Sequence, residues 1–512
     1  MRVNIIGTGI SGLVMGALLS KSGYEAHLYE QNEDIGGVTG GLHKNGYHWD
    51  LGQLILEGLG PGEQAGKVID ELGLRDKLKI IPADRIYVFP DFTIKPPEEY
   101  HGAWWRRDFF IRQFPWEKRG IKKYFRYYKR MMEIVTLARL GGESEGIKAV
   151  FYKMAMYAKL LPLLSKVKWS AKQLMDYYFE SPEIKAALTS ILADFVVRPE
   201  EFQGLGVALV NPEPAFDCRV PLKLSWCGRQ PSYSYIDGGC RTLVNLLAEV
   251  IRAHGGQIHT KCEVVAIKTR GKRVVGIELA DGTVQEGDIV IASGGAKETF
   301  NKLLEPGELD GSFQEIIDNL PMMESIFMLQ LGLDIDPSQY LESGVNYFYL
   351  TYDISGGVDN LTKGIYHEGR DGFLICNPTI YSPQSAPEGR YAVTLYTVAP
   401  NRVSGYEWAD QKEIMAEKLL DLAEEKIPGL KDHIVEMEIL TPEDFRKITL
   451  QQHHSFGGCA PVMNKKTVPH RTPIEGLWFI GAQSESGAGV NNAVEGTWRV
   501  SKMIINHNKN SC

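Results

Sequence analysis

The chain has 512 residues, 44% hydrophobic and 23% charged, with a net charge of −8. That length exceeds the roughly 250–300 residues at which a single hydrophobic core stops growing, so two packed domains are expected. The composition is that of a folded globular protein and argues against disorder and against a multi-span membrane protein; the acidic balance gives no support to a nucleic-acid partner. The sequence begins Met1-Arg2-Val3-Asn4-Ile5-Ile6 and runs straight into its first motif, with no stretch that reads as a secretory leader. No apolar run approaches the ~18 residues needed to cross a bilayer, so any membrane contact is expected to be peripheral. Seven cysteines are scattered without a single C-x-x-C pair, which disfavours a disulfide framework or a metal knuckle and fits a reducing cytoplasm.

The first element reads Val3-Asn4-Ile5-Ile6-Gly7-Thr8-Gly9-Ile10-Ser11-Gly12, then an apolar run from Leu13 to Ser20 and a second one ending at Tyr29-Glu30-Gln31. This is strand, glycine turn, helix, strand. Gly7 permits the tight turn, Gly9 lets the backbone approach a pyrophosphate, and Gly12 lets the helix pack closely on the strand. The amides around Ile10 and Ser11, at the positive end of the helix dipole, suit a diphosphate. Glu30 stands where an acid at the end of the second strand accepts hydrogen bonds from ribose hydroxyls. A later stretch, Gly58-Leu59-Gly60-Pro61-Gly62, is not read as a second nucleotide turn: it does not end a β-rich run in a βαβ unit, and Pro61 lacks a donor amide.

The segment after Glu30 contains Asp34-Ile35-Gly36-Gly37-Val38-Thr39 and then Asp50-Leu51-Gly52. A glycine pair soon after the acid, followed by a D-x-G turn, resembles the FAD-binding segments of flavin amine oxidases and phytoene desaturases, and implies non-covalent FAD rather than NAD. Val38 departs from that pattern, since many relatives carry Arg or Lys there. A middle block, Tyr235-Ile236-Asp237-Gly238-Gly239-Cys240 leading to Glu263-Val264-Val265, is similar to the second FAD segment of phytoene desaturases, in which the backbone at the position of Val264 meets the adenine. It continues to Asp281-Gly282, read as a type I′ hairpin turn. Near the C-terminus, Phe479-Ile480-Gly481-Ala482 and Gly487-Ala488-Gly489-Val490-Asn491-Asn492 again run through glycines into a helix. In the family the matching helix points its positive end at the flavin. The stretch from Asn377 to Gly389 is similar to a substrate-domain signature of phytoene desaturases and carotenoid isomerases.

Between Trp104 and Met175 the character changes. Residues 101–175 hold 17 Lys and Arg against 5 Asp and Glu, so this segment is +12 and the remainder −20. Basic residues interleaved with aromatics suit a helix lying on an anionic bilayer; a solvated basic face over a core of Tyr, Phe and Met explains the same pattern. Gln451-Gln452-His453-His454 precedes the last glycine block, which makes His454 a candidate acid or base; a hydrogen-bonded structural pair is the plainer reading. No metal, serine-hydrolase or P-loop motif occurs.

The expected architecture is α/β: a discontinuous, glutathione-reductase-like Rossmann-type FAD domain from residues 1–75, 231–310 and 441–512, with an α+β substrate domain, helical from 76 to 230 and β-rich from 311 to 440. The resemblance implies an FAD oxidoreductase that moves hydride between flavin N5 and C–C or C=C bonds of a lipophilic, isoprenoid-like substrate, with a separate electron donor or acceptor; a cytoplasmic location with peripheral membrane contact through residues 104–175 is expected. Amine oxidation, and a non-enzymatic prenyl-lipid carrier of the GDP-dissociation-inhibitor type, stand as alternatives.

Overall fold

The computed structural model describes residues 1–52, 54–452 and 457–509, with side chains through His507. It is organised by a five-stranded sheet whose strands come from all along the chain, in the order Gln257–His259, Glu25–Tyr29, Arg2–Ile6, Ile289–Ala292, Leu477–Phe479. Every neighbouring pair is parallel. Such strands are covered on both faces and read as continuous apolar runs rather than alternating ones. Ile289-Val290-Ile291-Ala292, buried throughout, is the clearest case. The helix Ile10–Lys21 is buried from Ser11 to Ser20. It packs on the helices Cys240–Ala253 and Val490–Lys509, which is why it is apolar on every side.

A three-stranded antiparallel ribbon, Val264–Thr269, Val274–Leu279 and Val284–Glu286, is attached to this sheet. Its Asp281-Gly282 turn is not type I′ as the sequence suggested. Of the pair only Gly282 has positive φ, +83°; the Gly282 amide donates to Leu279 O and the Leu279 amide to Thr283 O, each at 2.9 Å. This is a type I turn closed by a glycine bulge, the pattern of a three-residue loop.

The second body is built on a seven-stranded sheet, ordered Ile434–Leu440, Ser325–Leu333, Tyr391–Ala399, Gly372–Cys376, Val345–Tyr349, Ile86–Val88, Thr93–Ile94. The last two strands lie in a stretch whose sequence reads as helical. Strand Ser325–Leu333 is buried along its whole length and alternates between two cores. Phe327, Leu329, Leu331 and Leu333 face Trp408 and Leu419 of the helix Trp408–Glu424. Ile326 and Met328 face Leu51 and Phe445 on the other side. The hairpin Leu42–Lys44/Tyr47–Trp49 also rests on this strand, with the Trp49 indole N–H donating to Leu331 O at 3.0 Å.

Residues 105–210 form a helical cap. Helices Trp105–Gln113, Lys118–Glu143, Ala171–Tyr178 and Pro182–Thr189 share one core, which includes Phe110, Tyr124, Tyr128, Leu174 and Phe216. Inside it, Arg106 donates to Glu213 at 2.7 Å, with side chains 2% and 0% exposed, and its guanidinium lies 4.0 Å from the Phe216 ring centre.

Candidate active site

A single cavity of about 1010 Å³ runs from the carboxyl ends of the parallel strands to the underside of the cap. This is where ligands bind in open α/β sheets. Of the residues singled out in sequence, Gly7, Gly9, Ile10, Ser11, Glu30, Gln31, Gly36, Gly37, Val38, Gly52, Val264, Gly481, Gly489, Val490 and Asn491 all line it. Gly12 does not. A Cβ there would stand 2.1 Å from the Gly7 carbonyl oxygen, so its part is to let the helix approach the turn. His454 lies outside the described residues, though Gln451, Gln452 and Gly457 on either side line the cavity.

The glycine turns converge for visible reasons. Gly7 and Gly36 have φ of +90° and +108°, and the Gly36 amide donates to Thr8 O at 3.0 Å. Gly9 and Gly36 pair as an isolated parallel bridge. A Cβ on Gly9 or on Gly489 would meet nothing within 4 Å, so at these two positions, on separate turns, bare backbone fronts open space. That is the cradle a pyrophosphate needs. From outside, Arg241 clamps the glycine pair by donating to Ile35 O (3.2 Å) and Gly40 O (3.3 Å). The family pattern has a cation after the pair; here Val38 packs into the apolar cluster with Leu51 and Phe445, and the cation comes from another helix.

Glu30 is more heavily engaged than the sequence reading foresaw. Its carboxylate accepts from the Thr8 amide (3.0 Å), the Thr8 hydroxyl (2.6 Å), and the Asn32 amide and side chain (3.0 Å each). A carboxylate has about four acceptor positions, so a ribose hydroxyl would exchange with one of these donors. Asn491 also works structurally: its Oδ1 accepts from the Ala65 amide (3.2 Å) and its Nδ2 donates to Gln64 (2.9 Å), tying the closing helix to Gln64–Leu72. Asp50 is buried and accepts from the Cys240 amide (2.8 Å) and the Tyr235 hydroxyl (3.0 Å), which stitches the D-x-G turn to the middle block.

Several wall residues escaped the sequence reading. Ser293-Gly294-Gly295 follows the strand Ile289–Ala292 and lines the cavity. Its strand-to-glycine signal was present. Gln483 accepts from the Ala296 amide (2.7 Å) and donates to Gln451 (2.8 Å). On the cap side stand Met132, Val135, Ile191, Phe195 and Leu209, with Arg85, Asp194, Tyr233, Tyr347 and Tyr396 among them. Burial raises the Asp194 carboxyl to about 7, against the opposing pull of Arg85.

The family described as flavin containing amine oxidoreductase matches residues 10–505. The chain belongs to it. It is a flavin-dependent oxidoreductase. Among similar sequences are prolycopene isomerase of Daucus carota, 24% identical over 95% of this chain and 77% of the relative. A lycopene-forming phytoene desaturase of Pseudescherichia vulneris is 23% identical over 98% of each. Solved structures with the same fold include an oxidoreductase from Methanosarcina mazei, with a TM-score of 0.62, 17% identity and coverage of 98% of this chain and 100% of that one. Cyclohexylamine oxidase from Brevibacterium oxydans has a TM-score of 0.60 at 14% identity, covering 99% of both chains.

Two expectations follow from the geometry. Gly12→Ala forces backbone against backbone and costs about 1–3 kcal/mol, read as a drop of several degrees in Tm. Gly9→Ala, whose φ of −58° suits any residue, leaves Tm unchanged but fills the cradle, so flavin content after gel filtration falls. The Asp194 carboxyl, ordinarily near 3.8, is raised to about 7 in the fold, so stability is lost as pH climbs from about 4 to about 7. Asp194→Asn should therefore raise stability by roughly 1–3 kcal/mol at pH 8 and leave it unchanged at pH 4, as thermal melts at the two pH values will register.

Proposed function

We propose that the chain is an FAD-dependent oxidoreductase acting on C–C or C=C bonds of a lipophilic, polyene-like substrate at a membrane surface. The observation that carries this reading is the continuity of the cavity. The glycine cradle and the apolar underside of the cap share one space, which suits a long dinucleotide at one end and an elongated apolar molecule at the other. Gly9, Gly36-Gly37 and Gly489 would hold the pyrophosphate region, Glu30 the ribose and the Val264 backbone the adenine. When bound, the flavin supplies hydride exchange with a substrate carbon. The protein's part is to orient that carbon and keep water away, and Met132, Ile191, Phe195 and Val210 offer the walls for it. The names of the similar proteins, isomerases and desaturases of carotenoids, point the same way.

The basic segment divides into two parts. In Lys118–Glu143 the aromatic residues Tyr124, Phe125, Tyr127 and Tyr128 are buried in the cap, so there the plainer reading of a core face beneath solvated lysines fits. The next helix, Gly146–Leu160, buries no residue at all. Ile147, Phe151, Met154, Tyr157 and then Leu161 are 90%, 55%, 67%, 60% and 63% exposed, at helical spacing on one side. Lys148, Lys153 and Lys159 flank the stripe. Among the described residues no helix is long and apolar enough to cross a membrane. An apolar stripe edged by lysines suits a helix lying in the plane of an anionic bilayer. It lies near the cavity: Phe151 meets Trp226 with ring centres 6.4 Å apart, in the same short segment as the cavity-lining Arg229.

Anaerobic mixing of the holoenzyme with polyenes and with amines should bleach the flavin absorbance with an apolar polyene; bleaching by amines alone would reject the proposal. Heat-released cofactor should run as FAD rather than FMN. In vesicle sedimentation, the protein should bind phosphatidylserine-containing vesicles more tightly than neutral ones, and the triple change Ile147→Glu, Phe151→Glu, Met154→Glu should weaken that binding at least tenfold with flavin content intact.

A further inference from the structure

The cap side of the cavity is mostly apolar, yet three arginines, Arg85, Arg139 and Arg229, stand on its wall. None of them forms an ion pair among the described residues. Arg85 is the deepest, only 8% exposed. Its Nη2 donates to Val210 O at 3.1 Å and to Asn211 Oδ1 at 2.9 Å. Asn211 in turn accepts from the Tyr87 hydroxyl (3.1 Å) and donates to Leu188 O (3.1 Å), so its amide is fixed in orientation and fixes Arg85 with it. The guanidinium is boxed by the rings of Tyr87, Phe216, Tyr233 and Tyr347, 5.2–5.9 Å from their centres. The Nε of Arg85 is nevertheless buried with no partner, as is that of Arg139.

A buried guanidinium with unused donors is costly unless an anion meets it. The carboxyls that act on Arg85 are Asp194 and Glu57. Burial pushes both toward their neutral forms, and Glu57 already accepts from the Tyr233 hydroxyl at 2.9 Å. Neither forms an ion pair with Arg85 in the structure. A pure hydrocarbon would leave Arg85 as it is, and an ammonium ion would be repelled by it. A carboxylate can accept from Arg85 Nη1, the guanidinium nitrogen that is neither committed to Val210 and Asn211 nor sealed off as Nε is.

We infer that the substrate is an apolar chain ending in a carboxylate, and that Arg85 is the residue that receives this acidic end. Arg229, exposed beside the exposed Val135 and Leu209, marks the outer part of the same wall, where a second positive charge draws an anion inward. The inference rests on the apolar-substrate reading above and narrows it to acids.

The test uses the holoenzyme and the fluorescent polyene parinaric acid, titrated beside its methyl ester and followed by the rise in probe emission. The acid should bind roughly tenfold or more tightly than the ester. That preference should vanish in Arg85→Met and be partly kept in Arg85→Lys. Equal binding of acid and ester by the unaltered protein overturns the inference, whether or not Arg85→Met folds, and leaves the apolar-substrate reading standing. Failure of acid, ester and unsubstituted polyene alike to bind overturns both.

Discussion

Everything in this protein turns on how closely backbone can approach backbone at the carboxyl ends of the parallel strands. With a Cβ at residue 12 the opening helix would stand 2.1 Å from the Gly7 carbonyl, and the helix N-terminus would be displaced from the strand that feeds it. The Gly36-Gly37 turn leans on the same place through its bridge to Gly9. Glu30 locks the arrangement, because its carboxylate holds Thr8 in the first turn and Asn32 at the head of the second. The glycine-lined end of the cavity is therefore an assembly of backbone, in which side chains are excluded or used as fasteners.

The opposite end of the cavity follows another logic. Its shape comes from large side chains on the cap and on the seven-stranded sheet, and its polarity from a few charged groups among them. Tyrosines and arginines in such a setting discriminate among ligands by what they leave unpaired. A family that shares one nucleotide cradle thus retains freedom to change its substrate by altering the wall that the cradle faces.

The two ends differ equally in what the sequence disclosed. The glycine turns are local: each lies within about a dozen residues, with a strand before it and a helix after it, so spacing alone reveals them. Ser293-Gly294-Gly295 carried the same signal in a fainter form. Arg85, Asp194 and Arg229 come from three distant elements that only the packing of the cap brings to one wall, and no periodicity links them. The lysine–aromatic pattern was ambiguous for a physical reason. A 3.6-residue repeat of Tyr and Lys describes an amphipathic helix over a core as well as one on a bilayer, and Lys118–Glu143 and Gly146–Leu160 adopt these different settings. The Asp281-Gly282 turn was mistaken because that dipeptide fits two hairpin geometries, which the loop length alone distinguishes.

The strand Arg2–Ile6 sits between one partner close in sequence and one nearly three hundred residues away. During synthesis one flank of it stays bare until residues 289–292 arrive, and the sheet gains its outer strand only at 477–479. The helical cap, whose contacts are mostly between near neighbours in sequence, has no such wait. Completion of the parallel sheet therefore waits on residues far later in the chain than the helices of the cap. Until then a parallel-strand edge lies unpaired, and closing it waits on contacts of very high sequence separation, the kind that slow folding.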